Sequence, residues 1–494
     1  MTGLRILITV LGMTIGIGAC HAQSSSGSKA RRGLDGFRRA VRADFNDFRR
    51  QAMKEFTDFV RNPWKEFEHT PAVPVPEEKP VPPVVMPEED KGKPLLDKPI
   101  VIKDIIKPIV VIPQPQPVAP VIEVPVVKEK YTEFTFFGTK ARVRFDKAYR
   151  IDVKGVESNE VADALKRITP EKYDNMLYDC LALRESLQLS DWAYLQMLKA
   201  LSDEIEGHGT NGSALLLAYL YMQSGYKMRL ATDGTKLYVL YGTRHVIYEI
   251  ISYGLDGDRY YGVEKLPQSL RICDVAFPKE KGMSLLINTN QKFEADMSEK
   301  RKIASKVFKD FTVESSVNKN LLEFYSSYPT SMVDDDMMTR WAMYANTPVE
   351  AEVKAQLYPQ LEAQLKGLSQ KEAVERILNW VQTGFEYEYD NKVWGHDRAF
   401  FAEETLFYPY CDCEDRSILL TRLVRDLLHL KCILVYYPGH LASAVELTGT
   451  DAKGDCIMLD GHKYIIADGT YINAPLGRTM PQMDNSTAKV ILLE

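Results

Sequence analysis

The chain has 494 residues, 45% of them hydrophobic and 26% charged, with a net charge of −6. That length exceeds a single hydrophobic core and suggests about three domain-sized units, and the ordinary composition excludes a wholly disordered or fibrous chain. No basic face shows in the globular part, which argues against nucleic acid as a partner, because phosphate recognition needs clustered positive charge. The 7 cysteines are too few and scattered for a disulfide framework, although one bridge is feasible in an oxidising compartment.

Residues 1–22 read as an export signal: Arg5 gives a positive start, Ile6 to Ile17 an apolar run too short to span a bilayer, and small residues follow. The expected location is extracytoplasmic, as a periplasmic protein, a cell-envelope lipoprotein or a secreted chain. Two cleavage patterns compete. Ile17-Gly18-Ala19-Cys20 resembles a lipoprotein box that would put lipid on Cys20 and tether the protein to a membrane, whereas Cys20-His21-Ala22 suits ordinary signal cleavage.

Residues 28–69 predict a basic helical segment. Leu34, Phe37, Val41, Phe45, Phe48, Ala52, Phe56 and Phe59 form one stripe at steps of three and four, with arginines crowding the other sides. Packing of that stripe on the protein's own body or on a second copy is favoured; association of the helix over 34–60 with a membrane surface or an acidic partner is the alternative. Asn62-Pro63 should end the helix. Residues 70–130 hold more than half of the prolines, interleaved with Val and Ile, and predict an extended linker. Its apolar runs Ile100 to Ile102 and Ile109 to Ile112 offer a second possibility, as edge strands on a neighbouring domain.

Two α+β units are expected next, over 131–320 and 321–494. In the first, Ser190-Asp191 should cap a helix beginning near Trp192, Ala214 to Met222 is an apolar helix, and Leu237 to Leu240 and Arg259 to Tyr261 read as strands. In the second, Ser369 and Glu372 form a capping box ahead of the stripe Ala373, Ile377, Trp380, Val381. The units look like copies of one another. Leu216, Leu217 and Leu220 match Leu419, Leu420 and Leu423, and L-D-G-D-R-Y from Leu255 matches L-D-G-H-K-Y from Leu459, at offsets of 203 to 204 residues.

The second copy carries the chemistry. Cys413 opens an apolar helix, with Glu414 and Asp415 in its first turn and Ile418, Leu419, Leu423, Val424 and Leu427 along its face. A helix start and a nearby imidazolium can lower a thiol pKa from about 8.5 and make the sulfur a nucleophile. His440 follows Pro438-Gly439 and opens the alternating strand Leu441 to Val445; Asp468 closes Tyr464 to Ala467. Thiolate to attack, imidazole to move the proton and carboxylate to hold the imidazole tautomer are the parts of a thiol acyl-transfer site. The offset puts Thr210, Lys236 and Glu264 opposite these three. Threonine without a base is a poor nucleophile and lysine cannot do imidazole's work near neutral pH, so the first copy should be silent.

C-E-D-R-S-I-L-L from Cys413, H-L-A-S-A-V from His440 and A-D-G-T-Y from Ala467 resemble the transglutaminase-like superfamily over about the last 130 residues and, degraded, in the first copy. The resemblance implies two papain-like domains, the first degenerate, with Cys413 as nucleophile, His440 as general acid/base and Asp468 as its orienter. Two features depart from the family: Cys411 stands two residues before Cys413, and Gly469 sits where many members have proline. A side chain completing the oxyanion site with the Cys413 N–H is sought among Trp380, Trp394 and Tyr410.

Cys411, Cys413, His429 and Cys432 offer zinc-ligand types, but a helix of about 24 Å between Cys413 and His429 would keep them apart. No calcium or phosphate loop stands in the sequence, and neither metal nor other cofactor is expected. The expected function is an exported cysteine-nucleophile enzyme acting on amide bonds of proteins or peptides. Hydrolysis is favoured over cross-linking, since water is always present and no dedicated amine site is visible. The alternative is a catalytically silent surface scaffold or peptide-binding module.

Overall fold

A computed structural model of the chain describes residues 64–76, 79–107, 123, 129–168, 173–277, 279–449 and 452–494. The export segment 1–22, the stripe over 34–60 and the run Ile109 to Ile112 lie outside the described residues. No helix among the described residues is long and apolar enough to cross a membrane.

The architecture is mixed α and β, with helices packed on two mainly antiparallel sheets. The first sheet runs in the spatial order 65–66, 271–272, 228–232, 237–243, 258–262, 253–255. The second runs 98–100, 455–459, 462–467, 440–446, 432–437, 489–492, 104–106. Each central part is a hairpin, a return hairpin laid beside its second strand, and a late strand (271–272 or 489–492) beside its first, in the same order in both sheets. Each hairpin also follows an apolar helix, Asn211–Gln223 in one half and Cys413–Leu428 in the other. The sequence offset thus corresponds to a shared topology.

Local signals explain the helix starts. The Ser190 hydroxyl accepts from the Ala193 N–H at 3.3 Å to begin Asp191–Glu206. Ser369 and Glu372 exchange bonds to begin Gln370–Gly384. The catalytic helix candidate begins on a capping box that the sequence reading passed over: Asp412 accepts from the Glu414 N–H and Asp415 accepts from the Asp412 N–H, both at 3.1 Å. Ile418, Leu419, Leu420, Leu423 and Val424 are all buried, so this helix is clamped on more than one face. It ends at His429, which adopts a left-handed conformation at φ 54°.

The two halves share one continuous apolar cluster. It runs from Phe134 and the 191–206 and 211–223 helices through Trp341 to Ile418, Tyr436 and Leu441. A second cluster surrounds Trp380 and the far end of the Cys413 helix.

The expected linker is a strap over much of its length. Thr70 bridges to Ser252 and Val73 to Tyr248 in the first half. Val84–Val85 then pairs in parallel with Tyr471–Ile472, while Lys98–Ile100 and Asp104–Ile106 form the two edges of the second sheet. The physical reason is the pattern of Val and Ile between prolines. Edge strands tolerate proline because one side needs no N–H, and the apolar side chains, such as the buried Ile100, find a sheet to cover. Composition favoured a spacer because it does not show that two sheet edges were vacant; the Lys98–Ile100 strand overlaps the run Ile100 to Ile102 that offered the edge-strand alternative.

Candidate active site

The Cys413 helix crosses the 440–446 strand, and the Ser417 hydroxyl donates to the Leu441 carbonyl at 2.8 Å, fixing one against the other. The 462–467 strand lies on the other side of the His440 strand, with Ser443 opposite Ala467. Asp468 therefore emerges beside His440. His440 Nε2 and Asp468 Oδ2 are 2.9 Å apart and both side chains are buried. Asp468 Oδ1 accepts from the Thr470 and Tyr471 N–H groups at 2.8 and 3.2 Å, and its carbonyl accepts from Gln382 Nε2 at 2.9 Å. The carboxylate is thus held from two directions.

This geometry selects a tautomer. With Nε2–H donating to the carboxylate, His440 Nδ1 carries the lone pair. That nitrogen is buried and has no hydrogen-bond partner among the described residues. Cys413, His440 and Leu441 line a common cleft of about 630 Å³, a size suited to a peptide or small ligand.

The thiol itself departs from expectation. Cys413 is only 7% exposed. Burial, followed by the Asp412 and Glu414 carboxyls, pushes its pKa well above the ordinary thiol range, against the opposing Leu441 N–H. The helix start does not prevail, because its first turn and its cap are themselves acidic and the sulfur is buried. The resting species is a neutral thiol, and it needs a base to become a nucleophile. Cys411 sits elsewhere: its sulfur accepts from Arg416 Nε at 3.5 Å and packs in the second apolar cluster behind the helix. The six described cysteines are free thiols. Cys413 and His429 bracket the unbroken Cys413–Leu428 helix.

Arg416 is fully buried and donates to the carbonyls of Gln382, Gly469 and Phe385 at 3.2, 3.2 and 3.0 Å. It ties the Cys413 helix to the turn carrying Asp468. A Cβ at Gly469 would lie 3.0 Å from the Arg416 Cβ, a tight contact that a larger residue meets only if its neighbour shifts.

None of the three aromatic donors expected beside the thiol lines the cleft. Trp380 is wholly buried and donates to the Ile303 carbonyl at 3.2 Å. Trp394 packs on Phe400 and Tyr408, and Tyr410 is exposed. The cleft's aromatic wall is Trp341, Tyr389 and Tyr436, and the Trp341 N–H is committed to Glu414 Oε2 at 2.6 Å. Tyr387 was missed altogether. Its strand pairs with Tyr410–Cys411, its buried hydroxyl has no hydrogen-bond partner among the described residues, and the Cys413 thiol and Asp412 are its leading electrostatic neighbours. No local pattern marks it, since the parallel pairing of 386–387 with 410–411 is long-range.

The cleft is acidic. Carboxylate oxygens of Asp390, Asp397 and Glu414 lie within 4.8 Å of one another, close enough to share a cation. The Arg340 guanidinium already supplies one, contacting Asp397 and, at 3.4 Å, Glu414 Oε2.

In the first half, the positions opposite the trio also gather. Thr210, Lys236 and Glu264 line one small pocket. Lys236 Nζ and Glu264 Oε2 form an ion pair at 2.7 Å where the second half has imidazole and carboxylate, and the Thr210 hydroxyl is spent on capping its helix and on the carbonyls of Glu206 and Gly207.

No protein-family model matches the chain, and no curated protein is significantly similar to it.

Proposed function

We propose that this chain is a cysteine-dependent acyl-transfer enzyme of transglutaminase-like, papain-like build, exported from the cytoplasm and acting on amide bonds of proteins or peptides. The observation that carries this reading is the buried His440–Asp468 pair, whose free Nδ1 shares a cleft with Cys413.

In the first step His440 Nδ1 takes the thiol proton as sulfur bonds to the acyl carbon. The carbonyl π pair moves onto oxygen, where the Cys413 N–H is the donor at hand to hold it. Collapse breaks the C–N bond, and the leaving amine receives the proton from His440, so a thioester remains. Water then attacks the thioester, giving its proton to His440 and thence to the departing sulfur. Asp468 stays ionised throughout and stabilises the imidazolium. Because the thiol rests neutral, proton removal and attack are coupled, unlike in a preformed thiolate–imidazolium pair. The first half, with Lys236 and Glu264 in ion pairing, contributes packing rather than turnover.

A second reading, a scaffold that binds without reacting, is favoured by the near-complete burial of Cys413. Iodoacetamide labelling followed by peptide mapping separates the two. An enzyme shows one fast thiol at Cys413 that slows at least about tenfold in His440→Ala; equally sluggish labelling of all thiols in both proteins refutes catalysis.

A further inference from the structure

The strap approaches the cleft at its most sensitive point. Between its contacts with the first half and with the second, Val75, Pro76, Lys79 and Pro80 form a wall of the same cleft that holds Cys413 and His440. The Val81 N–H then donates to the carbonyl of Gly439, the residue before His440, at 2.9 Å. Gly439 has φ +76°, and a Cβ there would collide with the Lys79 carbonyl. The glycine thus allows one main chain to lie directly on another. Five residues further on, the Met86 N–H donates to the Ile472 carbonyl at 2.9 Å, just past the turn that holds Asp468. Met86 is buried against Tyr471, Ala474 and Met480, with Val81 and Val84 beside it.

Two main-chain acceptors and an apolar socket, spaced along the turn that precedes the imidazole strand and the loop that follows the carboxylate strand, make a track for an extended chain. The strap holds that track through few groups: Pro80, Pro82 and Pro83 have no N–H to give, which leaves the Val81 and Met86 donors and the short pairing of Val84–Val85 with Tyr471–Ile472.

We infer that the groove holding residues 79–86 is the docking track for an extended polypeptide substrate, recognised through its main chain and an apolar side chain in the Met86 socket, and that the strap is its intramolecular competitor. The purpose of the track rests on the acyl-transfer reading, but its occupancy does not. It also makes the strap, one wall of the cleft that holds Cys413, a limit on access to that thiol.

The test uses the full chain with Cys413→Ser, so that binding is measured without chemistry, and a fluorescent peptide of sequence K-P-V-P-P-V-V-M. Met86→Asp empties the socket, because a lone carboxylate does not stay buried there. Val81→Pro removes the bond to Gly439 while leaving Met86 in its socket. The peptide should raise anisotropy saturably with both variants, and at least about tenfold more weakly with the unaltered strap. In chains retaining Cys413, iodoacetamide should label that thiol at least about tenfold faster once Met86→Asp is introduced. Binding to none of the chains, equal binding to all, or an unchanged labelling rate in a Met86→Asp chain with native circular dichroism would overturn the track. Peptide binding combined with labelling indifferent to His440→Ala would instead remove the enzyme reading and leave the track standing.

Discussion

Asp468→Asn changes one atom and addresses the centre of the proposed chemistry. The asparagine Oδ1 can keep the Thr470 and Tyr471 N–H groups now held at 2.8 and 3.2 Å, so the turn should survive at a cost of about 1 kcal/mol. Its amide NH₂ then faces His440 Nε2, now 2.9 Å from a carboxylate oxygen. Two donors cannot face each other, so the ring must carry its proton on Nδ1 and present a lone pair at Nε2. Nδ1 is the nitrogen that must accept the Cys413 proton, and the variant has also lost the charge that stabilises imidazolium. The wrong tautomer costs a serine triad about 10⁴ in rate, about 5.5 kcal/mol. The Cys413 thiol is pushed well above its ordinary pKa by burial and flanking carboxyls, so it depends on its base as a hydroxyl does. The expected loss is about 10³ to 10⁴. Initial rates on p-nitrophenyl acetate and iodoacetamide labelling of Cys413 between pH 6 and 10 supply the assay, with circular dichroism as the control of fold. A variant within about threefold of the parent, with the same pH profile, would refute the tautomer argument.

Two further outcomes concern stability. Burial, and then Glu403, push the Glu350 carboxyl from 4.5 up to about 7; because the folded value is the higher one, its stabilisation is complete below about 4.5 and is lost as pH rises through about 7. Glu350→Gln should remove at most about 3 kcal/mol of that pH dependence, so the parent's thermal transition falls more steeply than the variant's between pH 5 and 8; parallel curves by scanning calorimetry would contradict this. Arg416→Met strands three buried carbonyls and should destabilise the second half by about 3 kcal/mol or more, seen as an earlier transition in urea; a loss below about 1 kcal/mol would show that the guanidinium is not the tie described here.

Much of the second half was legible because its signals are local. Glu414 and Asp415 ahead of Ile418 and Leu419 mark a helix start, Pro438-Gly439 marks a hairpin, and period-two alternation marks the strands on each side. The Cys413, His440 and Asp468 positions follow from those elements, and the offset that put Lys236 and Glu264 opposite His440 and Asp468 needed only a repeated string.

What the chain order could not show was decided by packing between distant segments. The sequence by itself determined which residues start helices and turn hairpins, since capping, periodicity and turn chemistry act over a few residues. Tertiary structure alone decided that the proline-rich segment runs along the cleft, that none of Trp380, Trp394 and Tyr410 lines it, and that the Cys413 thiol rests protonated. Each of these depends on which surfaces meet and how much water they exclude, and a thiol's charge is set by that exclusion more strongly than by the half-charge of its own helix.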